Sequence, residues 1–375
     1  MNYPIQIGVP ALVLAPMEGV TDAPMRALLT ERGGFSLCVT EFLRVSEEVL
    51  PDRVILRKLA ELASGGRTPS GCPVMLQLLG GDPEAMAHTA RQAVALGALG
   101  IDINFGCPSK TVNRHEGGAA LLKCPDKLGA VVRAVREAVP RAIPVSAKLR
   151  LGWERVEEIH HNAQVAAESG ASWLTIHART RAQGYAPPVN WRIVGEVRRA
   201  LSIPVIVNGD IRDRESLVNC AEVTGAEHFM LGRGALANPD LARLLCRGAL
   251  DDGKRTQLAE RRALDKGDWT RLLDRGVLAD SNSTYDGRVL ANPVPERDLD
   301  LPMARDVRDR HYWLALIDRF CAVASDSPPE TLVRRVKQWF NLAAKIGECE
   351  GFEAIKRLET LTQIRQVLLD APLRT

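Results

Sequence analysis

Eight short apolar runs, each followed by a stretch with helical spacing, occupy the chain from residue 11 to about residue 245 and decide what it can become. The runs fall at residues 11–15, 37–40, 73–78, 99–103, 145–149, 173–177, 205–207 and 229–231. They are continuous rather than alternating, the pattern expected of strands buried on both faces of a parallel sheet. Between them, apolar positions recur at helical spacing, as in Leu128, Val132, Val135 and Val139 after Pro125. Eight such units in about 240 residues match the size of a (β/α)8 barrel. A doubly wound open sheet would need a G-x-G-x-x-G turn after its first strand. The first run leads instead into Pro16-Met17-Glu18-Gly19. The expected fold class is therefore α/β, a (β/α)8 TIM barrel over residues 1–246, followed by a small C-terminal helical domain.

Between 247 and 310 the pattern fails. The stretch mixes Asp, Arg and Gly and holds Ser281-Asn-Ser-Thr and Asn292-Pro-Val-Pro. It reads as an insertion or linker, partly disordered. From residue 311 to 375 three helices are expected, at 311–323, 329–346 and 351–369, with Val333, Val336 and Phe340 at helical spacing. They form the helical domain.

Composition excludes several classes. The N-terminus Met1-Asn-Tyr-Pro-Ile has no basic region and no long apolar run. No stretch approaches the roughly 18 uncharged apolar residues of a membrane helix. The eight cysteines, at 38, 72, 107, 124, 220, 246, 321 and 349, form no C-x-x-C pair. Neither a zinc site nor a disulfide framework is expected, and no metal; reduced thiols in a cytoplasmic protein fit better. A net charge of +3 permits a nucleic-acid partner without arguing for one.

In a parallel barrel the carboxyl ends of the strands carry the chemistry. The polar residues at those ends are Glu18, Glu41, Gln77, Asn104, Lys148, Arg150, His177, Asn208, Asp210 and Arg233. Cys107 stands where the fourth run opens into a loop, bracketed by Gly106 and Pro108, which stop a ladder. Such a thiol serves as a nucleophile or a proton donor. Cys38, Cys220, Cys246 and Cys321 read as small buried hydrophobes. Gly209 and Gly232-Arg233-Gly234 follow the last two strands, where barrels commonly build a phosphate site. In the tail, Arg334, Lys337, Gln338 and Asn341 share one helix face, a solvated surface or a phosphate-backbone contact.

Several motifs in fixed order resemble the tRNA-dihydrouridine synthases: Leu14-Ala-Pro-Met-Glu-Gly-Val-Thr-Asp22, Asn104-Phe-Gly-Cys-Pro-Ser-Lys110, Gly117-Gly-Ala-Ala-Leu-Leu-Lys123, Lys148-Leu-Arg150, His177-Ala-Arg-Thr-Arg181, Asn208-Gly-Asp210 and Gly232-Arg-Gly-Ala235. The resemblance covers residues 11 to about 245 and resumes over 311–369. Thr40-Glu-Phe-Leu-Arg44, Cys107-Pro-Ser-Lys-Thr-Val-Asn113, Gln183-Gly-Tyr185 and Arg335-Val-Lys-Gln-Trp339 resemble the DusC branch, which acts on uridine 16 of the D-loop. Phe105 departs from the family, which often has a smaller or sulfur-bearing residue there, and typical members have no counterpart of 247–310, which is either a disordered insertion or an added tRNA contact.

The resemblance implies an FMN-dependent reductase that draws on NADPH or NADH and works on tRNA as a monomer. It implies that Pro16, Met17, Glu18, Gln77, Lys148, Asn208, Gly209, Asp210, Gly232 and Arg233 hold FMN, with Asn104 and His177 lining the flavin and uracil site. Cys107 would be the proton donor. Arg44, Asn104, Tyr185, Arg335, Lys337 and Gln338 would contact the tRNA. Saturating the C5–C6 bond of uracil needs a hydride at C6, from flavin N5, and a proton at C5, from an acid on the other face. Lys148 would place positive charge near flavin N1. The base must be extruded from the folded RNA, which is then recognised by shape and phosphates. The alternatives are a flavin barrel reducing a free pyrimidine or enone, and a non-catalytic tRNA-binding barrel.

Overall fold

The computed structural model describes residues 4–46, 49–109, 117–247, 310–345 and 352–370. Nearly all of the expected insertion, and Lys110 to Asn113 of the Cys107 loop, lie outside these residues. The chain divides into two compact units, Met1–Ala235 with a piece beginning at Asp240, and Leu236–Pro239 with the C-terminal helices.

In the first unit the strands are β1 (Ala11–Leu14), β2 (Leu37–Val39), β3 (Leu43–Arg44), β4 (Val74–Leu79), β5 (Ile101–Phe105), β6 (Val145–Arg150), β7 (Trp173–His177), β8 (Val205–Asn208) and β9 (His228–Leu231). All pair in parallel, β4 through β9 in succession, β9 with β1, β1 with β2 and β2 with β4. That ring of eight strands is the expected barrel. The ninth, β3, was not apparent from the apolar pattern. It pairs beside β4 (Leu43 with Leu78, Arg44 with Leu79) and so seats Arg44 at the carboxyl rim.

The helices of this unit are α1 (Ala23–Glu31), α2 (Asp52–Lys58), α3 (Pro83–Ala95), α4 (Pro125–Ala138), α5 (Glu158–Glu168), α6 (Trp191–Ala200), α7 (Arg214–Thr224), α8 (Arg233–Ala237), whose last two residues belong to the second unit, and α9 (Leu241–Arg247). Several begin where the sequence supplies an acceptor for the free N–H groups of a first turn. Asp22 accepts from Met25 N, Asp82 from Ala85 N and Asn190 from Ile193 N. Asp213 and Ser216 close a full capping box on α7. α4 buries Leu128, Val131, Val132 and Val135. Each side chain so buried is worth about 1.5–3 kcal/mol of transfer free energy.

Alternate positions of a barrel strand turn inward. Ala11, Val13, Leu37, Val39, Met75, Trp173, Ile206 and Met230 pack there as one apolar cluster, with Ile5 and Ala15. The continuous-run reading needs a correction at this point. Along β4 to β8 the same inward series becomes polar toward the carboxyl end: Gln77; Asp102 and Asn104; Ser146, Lys148 and Arg150; Thr175 and His177; Asn208. The outward positions remain apolar, and that hides the change.

The second unit holds α10 (Arg310–Val323), α11 (Pro329–Ala344), α12 (Phe352–Ile355) and α13 (Leu361–Asp370). Its core is aromatic: Trp313, Phe320, Trp339 and Phe340 meet at ring-centroid distances of 5.1 to 6.2 Å. The Trp339 indole donates to Leu236 O at 2.8 Å. The single helix expected at 351–369 is two, because Thr360 starts a new one. Its hydroxyl accepts from Gln363 N at 3.2 Å, and Gln363 Oε1 accepts from Thr360 N at 3.1 Å. On α11, Val333, Val336 and Phe340 are buried as the spacing predicts, and Arg334 is exposed.

Candidate active site at the carboxyl rim of the barrel

Cys107 lies two residues past β5, and its thiol is half-buried. Its backbone is held from within the barrel. Asn104 Oδ1 accepts from both Gly106 N and Cys107 N, each at 2.9 Å. Asn104 Nδ2 donates to Gln77 Oε1 at 2.8 Å, and Gln77 Nε2 donates to Asp102 Oδ2 at 2.7 Å. Ser146 Oγ donates to the other Asp102 oxygen at 2.6 Å. Burial raises the Cys107 thiol above its ordinary range, a Ser109 backbone hydrogen bond opposes this, and the Glu18 carboxylate raises it further. The thiol therefore keeps its proton at neutral pH.

Cations gather beside it. Lys148 donates to Asn208 Oδ1 at 3.2 Å, and Asn208 Nδ2 donates to Met230 O at 2.9 Å. Arg150 spans the rim, donating to Gly106 O (2.9 Å), Thr180 O (2.9 Å) and Gly184 O (2.7 Å). Arg179 forms a bidentate pair with Asp210 at 2.6 and 3.2 Å, and Arg233 stands 3.6 Å from the same carboxylate. Burial, and after it the Arg150 charge, lower Lys148 to about 8 against the opposing Asp102 carboxylate. Burial, then Arg150, Lys148, Arg179 and Arg233, hold His177 well below its usual value, so it is a neutral imidazole at pH 7. Burial alone would raise Asp210, but Arg179, Arg212 and Arg233 outweigh it and hold the carboxyl below its ordinary value.

Tyr185 is exposed at this rim. The Arg150 and Arg233 guanidiniums lie 5.4 and 5.1 Å from its ring centroid, and the His177 ring meets it edge-on at 6.1 Å. Gly209 has φ 124°, a conformation that costs other residues dearly, and a Cβ there would press within 3.3 Å of the His177 ring. A Cβ on Gly232 would sit 3.7 Å from Met17 Sδ, which puts Pro16, Met17 and Gly232 in one corner.

The strand-end residues thus form connected sets: Gln77 with Asn104 and the Cys107 backbone, Lys148 with Asn208, and Asp210, Arg233, His177 and Tyr185 around Arg150 and Arg179. Glu18 and Glu41 form a further set, and the Glu18 charge also acts on the Cys107 thiol. Lys58 bridges them, 3.6 Å from Glu18 and 3.2 Å from Glu41. No sequence signal points to Lys58, since a lysine at a helix end ordinarily faces water. Asp102, Ser146 and Arg179 were not singled out either. The inward alternation Asp102-Ile-Asn104 and Ser146-Ala-Lys148 was the available signal. Of the other cysteines read as buried, Cys38, Cys220 and Cys246 are so, and Cys321 is half-buried. In the second unit the Arg335 guanidinium lies 6.0 Å from the Phe320 ring centroid, and Lys337 and Gln338 are part-exposed. Among the described residues no group of three or more His, Cys, Asp or Glu side chains could hold a metal ion, and no helix is long and apolar enough to cross a membrane.

A closed parallel barrel with its polar groups gathered at the carboxyl rim is the architecture of a TIM-barrel enzyme. The chain belongs to the dihydrouridine synthase family (Dus), whose profile matches residues 13–263. It is 50% identical over 231 residues to the tRNA-dihydrouridine(16) synthase of Shewanella oneidensis, covering 62% of this chain and 73% of that protein. It is 47% identical over 235 residues to the tRNA-dihydrouridine(16) synthase of Escherichia coli K12, covering 62% and 75%. Among solved structures, a 2-naphthoyl-CoA reductase complex superposes with a TM-score of 0.50 at 15% identity, over 65% of this chain and 51% of that one, a likeness of fold alone.

Proposed function

We propose that this protein reduces uridine 16 in the D-loop of tRNA to 5,6-dihydrouridine, using FMN and NADPH, in the cytoplasm and as a monomer. The observation that carries the reading is a half-buried thiol whose backbone Asn104 holds at the mouth of the barrel, beside a cluster of cations that outnumbers its carboxylates. The position on the tRNA follows from the names of the two relatives.

The donor set fits a flavin nucleotide. Lys148, Arg150, Arg179 and Arg233 act on one neutral imidazole, with Asp210 in direct contact with only some of them. Such a surplus of positive charge suits an anionic, electron-rich group. In this reading Pro16, Met17, Glu18, Gln77, Asn208, Gly209, Asp210, Gly232 and Arg233 hold FMN, and Lys148 stabilises its electron-rich pyrimidine edge. When bound, FMN supplies the hydride for C6 of the uracil. Asn104 and His177 line the slot for the base, and Cys107 Sγ gives its proton to C5. Arg44 and Tyr185 on the barrel, with Arg335, Lys337 and Gln338 on α11, orient the tRNA. Residues 1–246 are then the flavin-binding catalytic domain and 311–375 the tRNA-binding domain.

The Lys148 charge gives a pH test. Its folded value of about 8 lies below the ordinary 10.5, so the ammonium is complete below about 8 and is lost as the pH rises through it. FMN affinity of the apoprotein is expected to weaken across that range. In Lys148→Met the affinity is lower throughout, and this limb of the pH profile is absent. An identical profile in both proteins would remove Lys148 from the cofactor site.

A flavin barrel acting on a free pyrimidine or enone has no use for Arg335 and Lys337. Replacing both by Ala is expected to raise the half-saturating tRNA concentration by about tenfold or more and to flatten its salt dependence, as for lost phosphate contacts. Unchanged tRNA kinetics would favour the small-molecule reading. Purified protein is expected to be yellow and to release FMN on denaturation; a colourless protein that takes up no flavin would favour a binding role alone.

A further inference from the structure

Beneath the Cys107 loop lies a buried carboxylate to which the reading above gives no task. Asp102 is 2% exposed, at an inward position of β5, flanked in register by Gln77 on β4 and Ser146 on β6. We propose that Asp102 is a positioning residue: it fixes the amide orientations of Gln77 and Asn104, and through them it holds the backbone that carries the Cys107 thiol. This inference rests on the proposed function in assigning Cys107 its proton transfer; the hydrogen-bond chain stands without it.

Donor and acceptor polarity runs in one direction along this chain. An ionised carboxylate only accepts. Ser146 must therefore turn its hydroxyl proton toward Asp102, and Gln77 must turn its NH2 group that way, as the 2.6 and 2.7 Å contacts require. That leaves Gln77 with only its oxygen for Asn104. Asn104 must then offer its NH2 to Gln77, at 2.8 Å, which leaves only its oxygen for the loop. The loop presents two successive N–H groups, those of Gly106 and Cys107, and the oxygen receives both at 2.9 Å. Reversing Asn104 would set its NH2 against the two N–H groups at the rim and forfeit both bonds, and reversing Gln77 would set its carbonyl against the Asp102 carboxylate. The polarity is decided at the buried end, where a carboxylate allows one choice.

The charged groups facing Asp102 are few. Lys148, on β6, is the cation acting on it, while Gln77 and Ser146 donate from either side. Burial raises Asp102 to about 6 against these three, so it is still the acceptor-only form at neutral pH.

A 1 Å displacement of a reacting group can cost about a hundredfold in rate. Two half-reactions of the flavin-loaded protein separate the roles: flavin reduction by NADPH, and anaerobic flavin reoxidation by tRNA lacking dihydrouridine. In Asp102→Leu, reoxidation is expected to slow by about thirtyfold or more at saturating tRNA. Half-saturating tRNA and the rate of flavin reduction should move by less than about threefold. Asp102→Asn is expected to recover most of the loss, because its amide oxygen accepts from Gln77 while its NH2 donates to Ser146 Oγ. The double variant Asp102→Leu with Gln77→Leu should lose no more than the worse single variant, as residues acting in one chain do. Wild-type reoxidation in Asp102→Leu, equal losses in both half-reactions, no recovery in Asp102→Asn, or losses that multiply in the double variant would each overturn the inference. Should Asp102→Leu not fold, Asp102→Ala carries the same expectation and the same refutation.

A second readout needs no tRNA. Iodoacetamide labelling of Cys107, resolved by peptide mass, is expected to change by about fivefold or more in Asp102→Leu and Gln77→Leu and to stay near wild type in Asp102→Asn, since loop placement governs access to the thiol. If wild-type protein turns over no tRNA yet shows this labelling pattern, the proposed function fails and the positioning role stands. If Asp102→Leu turns over tRNA normally, the role fails and the function stands.

Discussion

Cys107→Ala is expected to lower the rate of tRNA uridine reduction by about 10²–10⁴-fold, the usual worth of a positioned general acid. Binding of FMN and tRNA should be unchanged, because the thiol's hydrogen bond with the Ser109 backbone stays within its own loop, and the bonds that hold the rim run through Asn104, Lys148, Arg150 and Asp210. Only the Cys107 backbone N–H is engaged by Asn104, and alanine keeps it. The direction of the pKa shift fixes the pH behaviour of the wild type. Burial holds the thiol above its ordinary range, so the acid form is complete at neutral pH and is lost as the pH rises through the raised value. Turnover should therefore fall on the alkaline side, and that limb should vanish with Cys107→Ala. Single-turnover reoxidation of the reduced flavin by tRNA measures this directly. Full activity in Cys107→Ala would remove the acid from the account.

Glu61→Ala is expected to cost the barrel about 3–5 kcal/mol, the usual price of leaving one partner of a buried ion pair behind. Arg26 and Glu61 form a bidentate pair at 2.7 and 2.8 Å, and their side chains are 1% and 5% exposed. Without the carboxylate, the Arg26 charge stays in the interior uncompensated. At about 2–4 °C per kcal/mol for a unit of this size, the thermal midpoint should fall by about 6–20 °C. Replacing both partners with apolar residues of similar volume, Arg26→Met with Glu61→Leu, should recover much of that loss. The pair also reaches the site. Arg26 Nη1 donates to Thr21 O at 2.7 Å, and Thr21 Oγ1 accepts from Met17 N at 2.7 Å. The loop that holds Pro16 and Met17 is thus tied to the buried pair, and FMN affinity should weaken along with stability. A midpoint within 2 °C of wild type, below what about 1 kcal/mol would move it, would show that the pair is not energetically buried.

The barrel was legible because its outward-facing residues are apolar on every strand, so the strands stand out as runs whatever lies inside. The same property concealed the interior. Asp102 lies between Ile101 and Ile103, and Ser146 between Val145 and Ala147, so the polar inward series reads as interruptions of a core strand. Most rim residues were nonetheless found, because a strand end followed by Gly or Pro is visible at Asn104, Asn208 and Leu231 alike. What sequence order could not supply was connection. Lys58 sits on a helix well separated in sequence from both carboxylates that it bridges. Arg179 appears in a motif with no hint that Asp210 is its partner. The break before α13 was written in Thr360 and Gln363, a capping box inside what otherwise reads as one amphipathic helix.

The central claim is that a protonated thiol and a bound flavin act on one extruded base, uridine 16. The direct measurement is a site-resolved map of dihydrouridine in tRNA that lacks it beforehand, after incubation with the purified protein, FMN and NADPH. Dihydrouridine is expected at position 16, formed by the wild type and absent with Cys107→Ala. Reduction at another position, or equal reduction by both proteins, would contradict it.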